Sequence, residues 1–192
     1  MSKKKIELIL SSSSKNRELI LKKIRVPFKV FTPKIIEVAY DKEKPQHLSK
    51  RLSLEKALQA KKLFKNSFIL AADTVVYSRT KIIDKTQNVN QAKLNLMSLS
   101  GRRHRVFTGV TFFSNEEKYF QYVSKSVVKF KTLQEKEIDK YLSFNEWKGC
   151  AGSYSIQGFA ESFVEMISGS FSNVVGLPMH IIYKLFKNNK LI

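Results

Sequence analysis

Polar and apolar positions along the chain follow two rhythms, one of period two and one near 3.6, and their order predicts strands alternating with helices. The apolar run IELIL at residues 6 to 10 predicts a first strand. A helix follows from about 15 to 24, with Leu19, Ile20 and Leu21 on its apolar face. A second strand is predicted near 28–31. A long helix over 47–65 carries Leu48, Leu52, Leu54, Ala57, Leu58 and Leu63. Pro33 and Pro45 bracket a loop between them, KIIEVAYDKEK. NSFILAADTVVYS reads as a buried strand, and VNQAKLNLMSLSG as a helix stopped by Gly101. RVFTGVTFFS and KYFQYVSKSVVKFK are β-rich runs of the hairpin type. LQEKEIDKYLSF predicts a helix capped by Thr132 or a neighbour, and VVGLPMHIIYKLFKNN ends in one more helix. Together these predict an α/β domain around a mixed sheet.

With 192 residues, 43% of them apolar, the chain is expected to form one domain over 1–192 with a substantial core. The longest apolar stretches, such as FILAA at 68 to 72, are far too short to span a bilayer. The start, MSKKKIELIL, resembles a signal peptide only briefly. Its apolar part is short, includes Glu7 and is followed by no small-residue cleavage site, so a cytoplasmic location is expected. A single cysteine, Cys150, makes no intrachain disulfide, builds no zinc site by itself and reads as a packing residue. Lys and Arg number 35 against 16 Asp and Glu, and the net charge of +19 favours anionic partners. The basic residues are scattered over every segment rather than gathered into a stripe, which argues against nucleic acid. A small phosphorylated ligand is equally well served by this charge.

The candidate chemistry starts at Asp73, an acid set inside an apolar strand, where a charge is costly unless paired. It reads either as a structural acid or as a metal ligand or general base. Glu37, on the long loop, is by default solvated; together with Asp73 it could hold a hard divalent ion against phosphate oxygens. The serines at 11 to 14 are either a plain helix cap or, with Lys15 and Arg17, an anion cradle of hydroxyls, N–H groups and helix dipole. No Walker loop is present, because the glycines and the terminal Lys-Ser/Thr are missing. Lys56 and Lys85 in isolation read as surface lysines, and His104, between two arginines, as exposed and structural. Glycines at 152, 158, 169 and 176 imply tight backbone approaches in a late shaped loop. In that loop Gln157 carries both a donor and an acceptor and could read a base edge.

In their joint order, LILSSSSKNREL, LSLEKA, AADTVV, IIDK, LSGRRHRVFTGV, AGSYSIQG and GSFSNVVGLP resemble the Maf family of nucleotide pyrophosphatases, from near residue 6 to about 180. The resemblance implies a Maf/inosine-triphosphatase-like α/β fold with two lobes around a cleft. It implies hydrolysis of a nucleoside triphosphate to monophosphate and pyrophosphate with Mg²⁺ or Mn²⁺, and a homodimer. By position it makes Asp73 the proton acceptor for water and puts Glu37 and Asp73 on the metal side. Ser12, Ser14, Arg17, Lys56 and Lys85 fall on phosphate-handling positions. Asn16, Thr74 and Gln157 fall on positions tied to base choice, and the Ile-Gln-Gly form resembles the branch acting on dTTP and UTP. Lys15 and Asn16 stand where the family has proline and arginine, and Asp84 and Thr86 flank Lys85 in place of glycine and proline. Alternatives are a pyrophosphatase for another base such as 7-methyl-GTP, or a non-catalytic nucleic-acid-binding or cell-division regulator.

Overall fold

Four consecutive residues of strand β1 (Leu8–Ser11) are buried, as expected of a strand covered on both faces. It lies parallel to both β2 (Phe28–Phe31) and β3 (Phe68–Ser78), with Leu8 opposite Phe28 on one side and Phe68 on the other. This computed structural model describes residues 7–114 and 118–192; Ile6, where the sequence pattern starts the first strand, and residues 1–5 lie outside them. The chain continues through β4 (Lys81–Ile83), β5 (Arg103–Phe113), β6 (Tyr119–Phe130) and β7 (Val164–Ser168). Its helices are α1 (Lys15–Lys22), α2 (Pro45–Leu63), α3 (Val89–Leu99), α4 (Glu135–Ser143), α5 (Phe171–Val175) and α6 (Met179–Asn188). The sheet order is β2-β1-β3-β5-β6-β7, with β4 antiparallel on β3 and β7 antiparallel on β6. The mixed α/β class expected from the sequence is the class found. Neither β4 nor β7 is legible in the sequence: β4 has three residues, and β7 (VEMIS) is a half-exposed run without alternation.

The described residues form two compact units, and β3, β5 and β6 run from one into the other. The first holds, of the described residues, 7–73, 108–114, 118–124 and 176–192. Here α2 buries Leu48 and Leu52, but also a row of small residues, Ser49, Ser53, Ala57 and Ala60. Small side chains let a helix backbone approach a strand closely, and Gly109 on β5 completes that fit. A Cβ added at Gly109 would lie 2.1 Å from the Ser49 carbonyl oxygen. Beside it the Ser53 and Thr111 hydroxyls are 2.9 Å apart, a hydrogen bond that satisfies both in the interior. Because this small-residue face does the packing, Leu58 and Leu63 stay 43% and 66% exposed, contrary to the leucine stripe predicted for this helix. Leu19 on α1 is likewise 58% exposed, while Ile20 and Leu21 are buried. Pro45, which bounds the loop, is also the first residue of α2, two residues before the predicted start, a position where its missing N–H costs nothing.

The second unit holds residues 74–107 and 125–175. Its core gathers Leu96, Leu99, Val106, Phe130, Tyr141, Trp147, Tyr154 and Phe163. Two polar tips inside it are matched: Trp147 Nε1 donates to the Leu142 carbonyl at 3.0 Å, and the Ser155 N–H donates to the Tyr141 hydroxyl at 2.9 Å. His104 is not exposed, as its arginine neighbours suggested. It is 1% exposed, with Nε2 2.8 Å from the Tyr154 hydroxyl and its ring edge-on to Phe130 and Tyr154. Strand alternation turns His104 inward while Arg103 and Arg105 face out. The cap of α4 is Gln134 rather than Thr132: the Glu137 carboxylate reaches back to accept the Gln134 N–H at 2.9 Å. Gly101 ends α3 at φ +66°, and Gly152, Gly169 and Gly176 also have positive φ, in keeping with the tight loop expected there.

Two outcomes follow from this packing. Gly109→Ala forces β5 and α2 apart and lowers stability by about 1–3 kcal/mol, measured as the free energy of urea unfolding; an unchanged midpoint would mean the helix can shift freely. Burial pushes the His104 imidazole down to about 4. The unfolded chain therefore takes up this proton near pH 6.5, before the folded one does. Stability from this group is complete above pH 6.5 and is lost as pH falls toward 4, by up to roughly 3 kcal/mol. In His104→Gln the slope of stability against pH over that window should shrink by about one proton, or about 1.4 kcal/mol per pH unit.

Candidate active site

The end of β1 and the start of α1 build one wall of the candidate site. Ser14 is the N-cap of α1, its hydroxyl accepting the Arg17 N–H at 3.4 Å. The Ser12 hydroxyl accepts the Ser14 N–H at 3.2 Å and one Arg17 Nη at 3.2 Å. Arg17 Nε donates to the Gly176 carbonyl at 2.8 Å, which pins the guanidinium across the loop before α6. Ser11 faces the other way and donates to the carbonyl of Lys56 at 2.8 Å, fixing α2 against β1. The serines are thus both a helix cap and the mount of a buried arginine.

Lys56, on α2, is at the centre. Its ammonium lies 2.5 Å from Asp73 on β3 and 2.5 Å from Glu37 on the loop after β2. The lysine side chain is 5% exposed, that of Asp73 2%, and that of Glu37 33%, so Glu37 marks the solvent side. Lys56 is therefore no surface lysine. Burial pulls the Arg17 guanidinium below its ordinary value, while Asp73 and Glu37 work against that shift. Two buried cations face two carboxylates, and their charges cancel, which makes burial of the group tolerable.

Five of the residues singled out in the sequence, Ser12, Arg17, Glu37, Lys56 and Asp73, thus converge in the first unit, with Ser14 capping behind them. Asn16 sits half-buried on the first turn of α1. Thr74 follows Asp73 on β3, half-buried and on the opposite face by strand alternation. Lys85 and Gln157 are exposed members of the second unit. Their segments share a support that the sequence did not reveal. Asn95 on α3 donates to the carbonyl of Asp84 at 3.2 Å and to the Ser153 hydroxyl at 2.8 Å. One amide thereby ties the turn bearing Lys85 to the loop bearing Gln157. The available signal was an asparagine in register with Ala92, Leu96 and Leu99 on the buried face of α3. Past Gln157, Glu146 accepts the Phe159 N–H at 2.9 Å, and its carboxylate fills the space that a Cβ on Gly158 would need.

Among the described residues no group of three or more His, Cys, Asp or Glu gathers as a metal cage. A pair of carboxylates on one cation fits Mg²⁺ or Mn²⁺ instead, since Mg²⁺ is usually held by one or two carboxylates with water and phosphate oxygens completing its shell. Glu37 and Asp73 already reach a common cation, the Lys56 ammonium.

The chain matches the family profile described as Maf-like protein over residues 7–189. It is 43% identical to the dTTP/UTP pyrophosphatase of Wolbachia pipientis wMel, over 94% of this chain and 92% of that one. It is 42% identical to the nucleoside triphosphate pyrophosphatase of Ehrlichia ruminantium (strain Welgevonden), over 93% of each. A relative from Agrobacterium fabrum, also a dTTP/UTP pyrophosphatase, is 37% identical over 94% of this chain and 90% of its own. Among solved structures, a nucleoside-triphosphatase / dITP/XTP pyrophosphatase from Mycobacterium abscessus aligns with 72% of this chain and 95% of its own at TM-score 0.40 and 10% identity.

The shared ammonium makes loss of the lysine and loss of its buried acid unequal in cost. Lys56→Met removes the cation in direct contact with the buried Asp73 carboxylate and should cost about 3–5 kcal/mol in urea unfolding at neutral pH. Asp73→Asn leaves Lys56 paired with Glu37 and should cost distinctly less. A larger loss in Asp73→Asn than in Lys56→Met would refute the central role of the lysine.

Proposed function

The chain belongs to the Maf family, and from that premise we propose that it hydrolyses dTTP and UTP, or related modified pyrimidine nucleotides, to the monophosphate and pyrophosphate. The observation that carries this reading is the buried Lys56 held between Asp73 and Glu37, with Arg17 alongside on Ser12. Pyrophosphate release needs cations for the leaving group, a base for water and a site for a divalent ion. This cluster contains candidates for all three.

In the proposed reaction Asp73 takes a proton from water as the water oxygen bonds to the α-phosphorus. The bond from that phosphorus to the bridging oxygen breaks, and pyrophosphate leaves with the electron pair. Arg17 and Lys56 would neutralise phosphate oxygens, with Ser12 and Ser14 as hydroxyl partners and Lys85 as a further cation. Glu37 and Asp73 would hold Mg²⁺ or Mn²⁺, which when bound screens the triphosphate charge. When substrate arrives, the Lys56 ammonium can exchange its carboxylate partners for phosphate, which releases the acids for these roles. Gln157 and Thr74 are assigned to base choice. Asn16, shorter than the arginine usual in the family and uncharged, should loosen discrimination among bases. We further expect a homodimer acting on free cytoplasmic nucleotides. The charge of +19 favours anionic substrates, and no described helix is long and apolar enough to cross a membrane.

The test is hydrolysis in ¹⁸O-water. The label should appear in the monophosphate, with pyrophosphate as the other product; orthophosphate and a nucleoside diphosphate would mean attack at the γ-phosphorus and another reaction class. Asp73→Asn, nearly isosteric but no base, should lose at least about a hundredfold in kcat. Turnover near wild type in the folded variant would remove Asp73 from the reaction.

A further inference from the structure

Glu37 is the one acid of the cluster that rides on a loop, and that loop has no strand or helix of its own between Phe31 and Pro45. Its neighbours Ile36, Val38 and Tyr40 are 81%, 64% and 64% exposed, so apolar burial does little to hold it. What holds it is a row of side chains on α2. Gln59 grips Lys34 as a strand partner would, accepting its N–H at 2.6 Å and donating to its carbonyl at 2.8 Å. Two turns earlier on the same helix face, Arg51 grips the far side of Glu37. It donates from Nη2 to the Val38 carbonyl at 2.9 Å and lies 3.9 Å from the centre of the Tyr40 ring.

Arg51 is itself built in. It binds Glu43 with two parallel bonds, Nε at 2.9 Å and Nη2 at 2.8 Å, and Glu55 through Nη1 at 2.9 Å. Glu43 in turn accepts the Tyr40 N–H at 3.1 Å, so the chain doubles back on its own carboxylate. The arginine and Glu43 side chains are only 20% and 10% exposed, unlike an ordinary surface pair, and bidentate geometry of this kind is the strong form of a salt bridge.

We infer that Arg51 is a positioning residue: by clamping Val38, Tyr40 and Glu43 to α2 it keeps the Glu37 carboxylate against Lys56. The two grips fall on either side of Glu37, at Lys34 and at Val38, and Lys56 stands on the same helix between Arg51 and Gln59. Loop and ammonium are thereby referred to one rigid element. The role is distinct from phosphate binding, since every hydrogen bond of Arg51 given above runs to this loop or to α2. The inference rests on the proposed reaction only where it concerns turnover; the clamp itself is a property of the free protein.

The experiment compares wild type, Arg51→Met, Arg51→Lys, Glu37→Gln and the Arg51→Met/Glu37→Gln double variant. Amide hydrogen exchange of a peptide covering 34–44 is followed by mass spectrometry, and kcat and KM for dTTP are measured in the same preparations. Arg51→Met should speed exchange in 34–44 by about tenfold or more while peptides of β1 and β3 keep their protection. It should lower kcat on the order of tenfold, with the double variant no worse than Glu37→Gln alone. Arg51→Lys keeps the charge but not the fork, and should fall between wild type and Arg51→Met in exchange. Unchanged exchange in Arg51→Met overturns the clamp. Losses in kcat that multiply in the double variant overturn the link to Glu37. If wild type hydrolyses no triphosphate, the proposed reaction fails, while the exchange arm still decides the clamp.

Discussion

Lys56 sets the terms for the rest of the first unit. Its ammonium is out of water, in contact with both Asp73 and Glu37, whose charges offset the cost of burying it. That one requirement ties together an interior strand, the long helix and a surface loop. It explains why Ser11 turns its hydroxyl to the Lys56 carbonyl rather than to solvent. It also explains why Arg17, a second buried cation, is set beside the same acids. Each charge is made affordable by the others, so the cluster stands or falls as a group.

The approach of α2 to the sheet is the second constraint, and it serves the first. A helix packing through leucines keeps its axis well away from its neighbour, whereas Ser49, Ser53, Ala57 and Ala60 let the backbone come close. Gly109 on β5 accepts that closeness. From so near a helix a lysine can place its ammonium beside Asp73 on the strand, and the adjoining face, Arg51, Glu55 and Gln59, is left to carry the loop. The polar residues of α2 are therefore divided between two jobs: one set closes the packing, the other fixes the loop.

The second unit supports its polar groups differently. Asn95, Glu146 and Tyr141 each use a side chain to satisfy backbone or hydroxyl groups in irregular segments. These bonds stand in for the ladder that a strand would have supplied there. The exposed Lys85 and Gln157 thus sit on loops whose bases are hydrogen-bonded to buried supports.

The sequence by itself determined the order and type of the long elements, because local period and turn chemistry act within a few residues. It also singled out candidate residues for the chemistry: an acid in an apolar strand at Asp73 and an arginine behind serines at Arg17. Only the tertiary structure decided which faces became interior. Leu19, Leu58 and Leu63 had the right spacing and stayed in solvent, while Ser49, Ser53 and His104 went inside. It also decided that Lys56 and Glu37, each ordinary on its own segment, would share an ion pair with Asp73. Periodicity shows that a helix has a preferred side. Whether a serine or a leucine closes the gap, and whether a charge can lose its water, depends on partners brought from distant parts of the chain.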